Sequence, residues 1–149
     1  MEDIFHLGIK ALIRNKKGEI LLLKINPKKL IMRSDWKGIA YWDIPGGRIK
    51  KRSSIIKTLK SEIEEETGIK NISKIKHFFT VLSKIRIPIK DQNTSVGLIL
   101  AAYTCLVPES IEIKLSEEHI EYNWFSPVEA SKLLEVKYPI EFTEKIKEL

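Results

Sequence analysis

Little in this sequence can cross-link or anchor it. Its 149 residues include one cysteine, Cys105, so no disulfide can close within the chain, and a reducing cytoplasm is the expected compartment. No Cys/His cluster offers the usual zinc donors. The apolar runs fall far short of the ~20 residues that span a bilayer. The acidic start Met1-Glu2-Asp3 leads straight into a strand-like segment and does not read as a signal peptide, so no membrane partner is expected. Repeats, low-complexity segments and linkers are missing as well, and the length suits one domain over residues 1–149. What is present is an ordinary globular balance, 43% apolar and 31% charged, with a net charge of +6. The lysines are scattered, without a long basic run or interleaved aromatics. They read as a solvated basic surface rather than a nucleic-acid footprint.

Alternation marks residues 6–14 as a strand. Asn15-Lys16-Lys17-Gly18 is a turn, and residues 19–25 return as a second strand. Residues 26–37 read as a polar loop. Residues 39–44 read as a short aromatic strand that ends at Pro45-Gly46-Gly47. A helix follows over 54–67, capped by Ser53 or Ser54 at its start and by Gly68 at its end. Residues 72–87 read as one or two strands ended by Pro88, and 95–107 as a central strand apolar on both faces. Ser126-Pro127-Val128-Glu129 opens a second helix with a capping box. The pattern is an α/β domain with a mixed sheet.

The first helix carries the chemistry. At ~100° per residue, Ile55, Ile56, Leu59 and Ile63 form its apolar stripe, with Lys57, Lys60 and Glu64 opposite. Glu62, Glu65 and Glu66 fall together along one margin of that stripe. Glu64 has Lys60 four residues before it and reads as a surface residue. The other three have no such lysine within the helix. They repel one another at the C-terminal end, where the helix dipole also opposes negative charge. A divalent cation resolves this, and hard oxygen donors suit Mg²⁺, with Mn²⁺ as the alternative. Gly46-Gly47, between strand and helix, is either a plain tight turn or a place where backbone closely approaches a metal or phosphate.

Gly47 followed by Glu62-Ile63-Glu64-Glu65-Glu66-Thr67-Gly68-Ile69 resembles the box that defines the Nudix hydrolases, with the spacing from Gly47 to Gly68 kept. The lead-in Trp42-Asp43-Ile44-Pro45-Gly46 is similar too. So are Lys17-Gly18-Glu19-Ile20-Leu21-Leu22-Leu23 and the downstream run from Leu115 to Phe125, and the likeness covers nearly the whole chain. Two box positions depart from the pattern. Ser53 stands where the family has Glu and Ser61 where it has Arg, a pair that usually braces the loop against the helix. Both partners are gone together, so neither leaves an unpaired charge.

The resemblance implies an α/β/α sandwich around a central mixed β-sheet. It implies a pyrophosphohydrolase in which Glu62, Glu65 and Glu66, with the Gly46 carbonyl, hold Mg²⁺. A general base comes from the box or from a later loop, where Glu118 is the candidate and Glu117 the next. Lys24, Arg48 and Gly47 are the candidate substrate contacts, and Arg14 is read at the cleft as well. Trp42 and Tyr103 are read as core or as base-stacking residues, Trp124 as core, His119 as a structural loop histidine and Cys105 as inert packing. The expected substrate is a small nucleotide-like molecule, either a nucleoside triphosphate or a dinucleoside polyphosphate. A non-catalytic nucleotide-binding Nudix domain is the alternative. An allylic diphosphate isomerase fits less well, because Cys105 is badly placed for it. The oligomeric state is left as monomer or homodimer.

Overall fold

The computed structural model describes residues 1–29, 40–108 and 111–149. Most of the loop expected over 26–37, and the expected strand start at Ile39, lie outside these residues. Two long neighbours form the middle of the sheet: β1 (Phe5–Arg14) runs parallel to β7 (Ser95–Leu106), paired along its whole length. Strand β5 (Ser73–Leu82) flanks β7 antiparallel, and β2 (Ile20–Ile25) returns from β1 after the Asn15–Gly18 turn.

β1 and β2 share only the register pair Arg14↔Ile20 before they part. The chain of residues 42–48 enters that gap. Strand β3 (Trp42–Asp43) pairs with β2, and β4 (Gly46–Arg48) pairs with β1 at Gly8, Ile9 and Lys10. Pro45 joins the two halves through its carbonyl, which accepts the Ala11 N–H at 2.8 Å. Gly46-Gly47 is therefore a strand in its own right, not the end of one. It presses so closely on β1 that a side chain at Gly46 would overlap the Ile9 carbonyl oxygen. The short β6 (Ile87–Pro88) pairs with β7, and Pro88 ends the run as expected, as the last paired residue of that strand. Its position on a two-residue edge segment is one where proline is tolerated. Strand β8 (His119–Phe125) closes the sheet against β2.

Both faces are covered, as expected for an α/β/α sandwich. Helix α1 (Ile55–Thr67) packs Leu59 and Ile63 onto Ile9, Ala11, Ile13, Leu21 and Leu23. Ser54 caps it by accepting the Lys57 N–H, and Gly68 closes it. Ile56, expected in the apolar stripe, is instead 42% exposed. Thr58, Glu66 and Thr67 occupy buried positions on the helix. On the opposite face α2 (Pro127–Leu134) and α3 (Ile140–Ile146) cover Leu12, Ile20, Leu22 and Ala102. Ser126 caps α2 as expected, accepting the Glu129 N–H at 3.2 Å. The short α3, with Phe142 fully buried, was not read from the sequence.

Cys105 lies within β7, and burial pushes its thiol up to about 12. Its thiolate is scarce at neutral pH, so it is expected to react with a thiol reagent more than about 10²-fold slower in the native protein than in denaturant. Equal rates in a labelling time course would contradict its burial.

Candidate active site

Helix α1 and strand β4 meet at the carboxylates. The Gly46 N–H donates to Glu66 Oε2 at 2.8 Å. Glu62 lies directly over Gly47, where an added Cβ would be 2.5 Å from the Glu62 carboxyl carbon. One box carboxylate is thus hydrogen-bonded to the first glycine and the next occupies the space above the second. Glu65, one turn along from Glu62, is exposed.

The environment opposes ionisation of Glu62 and Glu66 in the protein alone. Burial pushes Glu66 up to about 8, against the pull of Lys10 and of the Gly46 N–H. Burial raises Glu62 as well, with Glu65 and Glu118 adding repulsion. Glu62 and Glu66, two neighbouring carboxyl groups that resist carrying charge together, suit a cation that would stabilise them.

Glu118 is the exposed residue immediately before β8. Its backbone carbonyl accepts the Asn26 N–H at 2.8 Å, and the Asn26 side chain donates to the Glu117 carbonyl at 3.0 Å. This anchoring brings Glu118 and His119 to Glu66, with one ligand atom from each of the three residues lying within 4.8 Å of the others. His119 is not a loop residue. It opens β8, is 6% exposed, and burial lowers its imidazole to about 4. Glu117 points elsewhere, pairing with Lys29 at 3.3 Å.

Beside the carboxylates lies a cleft of about 240 Å³. Gly46, Gly47 and Arg48 form one wall, Lys10 and Lys137 add positive charge, and Ile85, Ile87, Leu98 and Leu100 supply apolar surface. Arg86 at its rim is held by Asp3 at 2.7 and 3.1 Å. Arg48, exposed and contacting only His6 among its described hydrogen-bond partners, also reaches the side where Glu62 and Glu65 lie. Lys24 is engaged elsewhere, 3.8 Å from Glu121 and over the Trp42 ring. Arg14 is not at the cleft. It lies at the far end of β1 opposite Leu106, near Lys74 and Lys76. Trp42 packs edge-on against Phe125, Tyr103 against His77, and Trp124 packs on the α1-side core.

A buried ionic cluster behind the cleft was not read from the sequence. Asp43, 2% exposed, accepts from Lys137 Nζ and from the Tyr138 hydroxyl, each at 2.5 Å, and lies 3.4 Å from Lys10 Nζ. Burial alone would raise its pKa, but Lys10 and Lys137 outweigh that and hold the carboxyl well below its ordinary range. The available signal was Lys10 itself, a lone charge in the otherwise apolar run from Leu7 to Ile13.

A family model for the NUDIX domain matches residues 4–146. The chain belongs to the Nudix family. It is a Nudix-type pyrophosphohydrolase, a hydrolase of acid anhydrides in nucleotide derivatives, and members of the family generally use divalent metal ions. Among solved structures, the Nudix chain is similar to a MutT protein from Methanosarcina mazei Go1, with 27% identity, a TM-score of 0.66, and 99% of this chain and 94% of that one covered. An Ap4A hydrolase from C. elegans shares the fold at 17% identity and TM-score 0.69, over 95% and 93% of the two chains. So does the dihydroneopterin triphosphate pyrophosphohydrolase of E. coli, at 15% identity and TM-score 0.67, over 98% and 97%. No curated protein matches this Nudix sequence. Among the described residues no helix is long and apolar enough to cross a membrane.

Proposed function

We propose that this chain, as one domain over residues 1–149, hydrolyses a diphosphate linkage in a nucleoside triphosphate or dinucleoside polyphosphate with Mg²⁺. The observation that carries this reading is the contact of Glu62 and Glu66 with Gly47 and Gly46, beside a cleft that is cationic and apolar at once. An apolar wall suits a base and the cations suit a phosphate chain. The likeness to a MutT protein and the shared fold with an Ap4A hydrolase support the same substrate class.

Glu62, Glu65 and Glu66, with the Gly46 carbonyl, hold the cation. When bound, it supplies charge neutralisation on the diphosphate and lowers the pKa of a water. Glu118 accepts the proton of the attacking water, because it is exposed and anchored beside Glu66. Gly47 keeps the wall free of side chains where the phosphates approach, and Arg48 donates to their oxygens. Lys24 adds an outer contact once it leaves Glu121. That exposed ion pair is worth under ~1 kcal/mol and does not hold it back.

The test is product release from nucleoside triphosphates, diadenosine polyphosphates, ADP-ribose and NADH with Mg²⁺, run beside Glu65→Gln. Turnover of a triphosphate or a dinucleoside polyphosphate, falling at least about 10²-fold in the variant, is expected. Nucleotide binding without turnover of any substrate would make this a non-catalytic binding domain. Preferred turnover of ADP-ribose or NADH would replace the substrate class.

A further inference from the structure

We propose that Glu66, Glu118 and His119 form a cation site of mixed oxygen and nitrogen donors that takes Mn²⁺ in preference to Mg²⁺. This rests on the reading of the box as a metal centre and extends it to an imidazole that the box does not contain.

Two independent observations meet here. The first is proximity: the three potential ligand atoms lie within 4.8 Å of one another. Two ligands on one ion at ~2.1 Å lie at most about 4.2 Å apart, so the three atoms are near ligating spacing, and Glu118, the exposed member, is free to adjust. The second is that His119 Nδ1 is buried and has no hydrogen-bond partner. A buried ring nitrogen left unpaired is a costly arrangement in a folded protein, and a cation held through Nδ1 would supply its partner. The local backbone holds the residue in place. The β2–β8 ladder shifts register between Lys24 and Ile25, where Ile25 faces His119, and the preceding residues are tied to Asn26. Such irregularities re-aim side chains at the rim of a sheet.

The donor chemistry sets the selectivity. Carboxylates alone suit Mg²⁺, whereas imidazole favours first-row transition ions. One Glu118 oxygen on the cation leaves the other free to accept a proton, so the site is compatible with its role as base.

Pulsed EPR of the wild-type protein loaded with Mn²⁺ tests this without requiring a variant to fold. Nitrogen hyperfine coupling of the imidazole type is expected. In His119→Gln, checked for an unchanged melting temperature without metal, the coupling should vanish and Mn²⁺ affinity should fall roughly tenfold, while Mg²⁺ affinity changes less. No nitrogen coupling in the wild type, or coupling that survives in His119→Gln through exposed His6 or His77, would overturn the site. Mg²⁺-dependent turnover is measured separately. Turnover without nitrogen coupling removes this site alone, and coupling without turnover leaves the site standing while the hydrolase reading fails.

Discussion

Gly47→Ala is expected to lower kcat roughly 10²-fold while leaving the protein folded. The new Cβ would lie 2.5 Å from both the carboxyl carbon and Oε1 of Glu62. Ordinary van der Waals contact begins near 3.4 Å, so the carboxylate must retreat by about 1 Å. It is the far end of a flexible side chain, so the retreat costs little stability. It costs function because that carboxylate is a proposed metal ligand, and a displacement of this size is enough to spoil catalytic geometry. Gly46→Ala is the contrasting variant. There the Cβ would overlap the Ile9 carbonyl oxygen and approach Lys10 Cα at 2.9 Å, at a backbone φ of 157°. These are backbone atoms of the β1–β4 ladder and cannot swing away, so a loss of more than about 2 kcal/mol of stability is expected. Thermal melts and steady-state kinetics on the two variants separate the effects. Wild-type kcat in Gly47→Ala would show that Glu62 does not act from where it lies.

The second large effect is expected at Asp43→Asn, which should cost about 3–5 kcal/mol by leaving Lys10 and Lys137 without their shared counter-charge. For a chain of this length that corresponds to a fall of roughly 10–15 °C in melting temperature. The three side chains are 3%, 8% and 11% exposed, in the order Asp43, Lys10, Lys137, so little solvent is available to screen the orphaned ammonium groups. Adding Lys10→Met to Asp43→Asn removes one of those charges and should recover part of the loss. The pH dependence has a definite sign. Because folding depresses the Asp43 pKa, its contribution is fully present above the ordinary carboxylate pKa of ~4 and is lost as pH falls below it. A melting temperature within about 3 °C of wild type for Asp43→Asn would contradict the ionic picture.

The legible parts of the sequence were those written in local periodicity and capping. Ser54, Gly68 and Ser126 delimit their helices where the sequence places them, and the spacing of Glu62, Glu65 and Glu66 from Gly47 brings α1 over β4. Less legible were features set by long-range approach. Gly46-Gly47 forms a strand because β1 and β2 diverge and leave room for it, and no local signal records that divergence. Asp43 meets Lys137 and Tyr138 across more than ninety residues, a partnership invisible to spacing. His119 looked like a loop residue because the alternation of β8 is weak, with mostly exposed positions after it. Its burial comes from β2 and from the Asn26 anchor. Arg14 was read at the cleft on charge alone, while the direction of β1 carries it to the other end of the sheet.

The most direct test of the central claim is hydrolysis of a nucleoside triphosphate and of diadenosine tetraphosphate by the chelator-treated protein, before and after Mg²⁺ is restored. Turnover that is absent without the ion, returns with it and cleaves within the phosphate chain is the predicted result. Turnover that is unaffected by chelation, or nucleotide binding without cleavage after Mg²⁺ is restored, would contradict it.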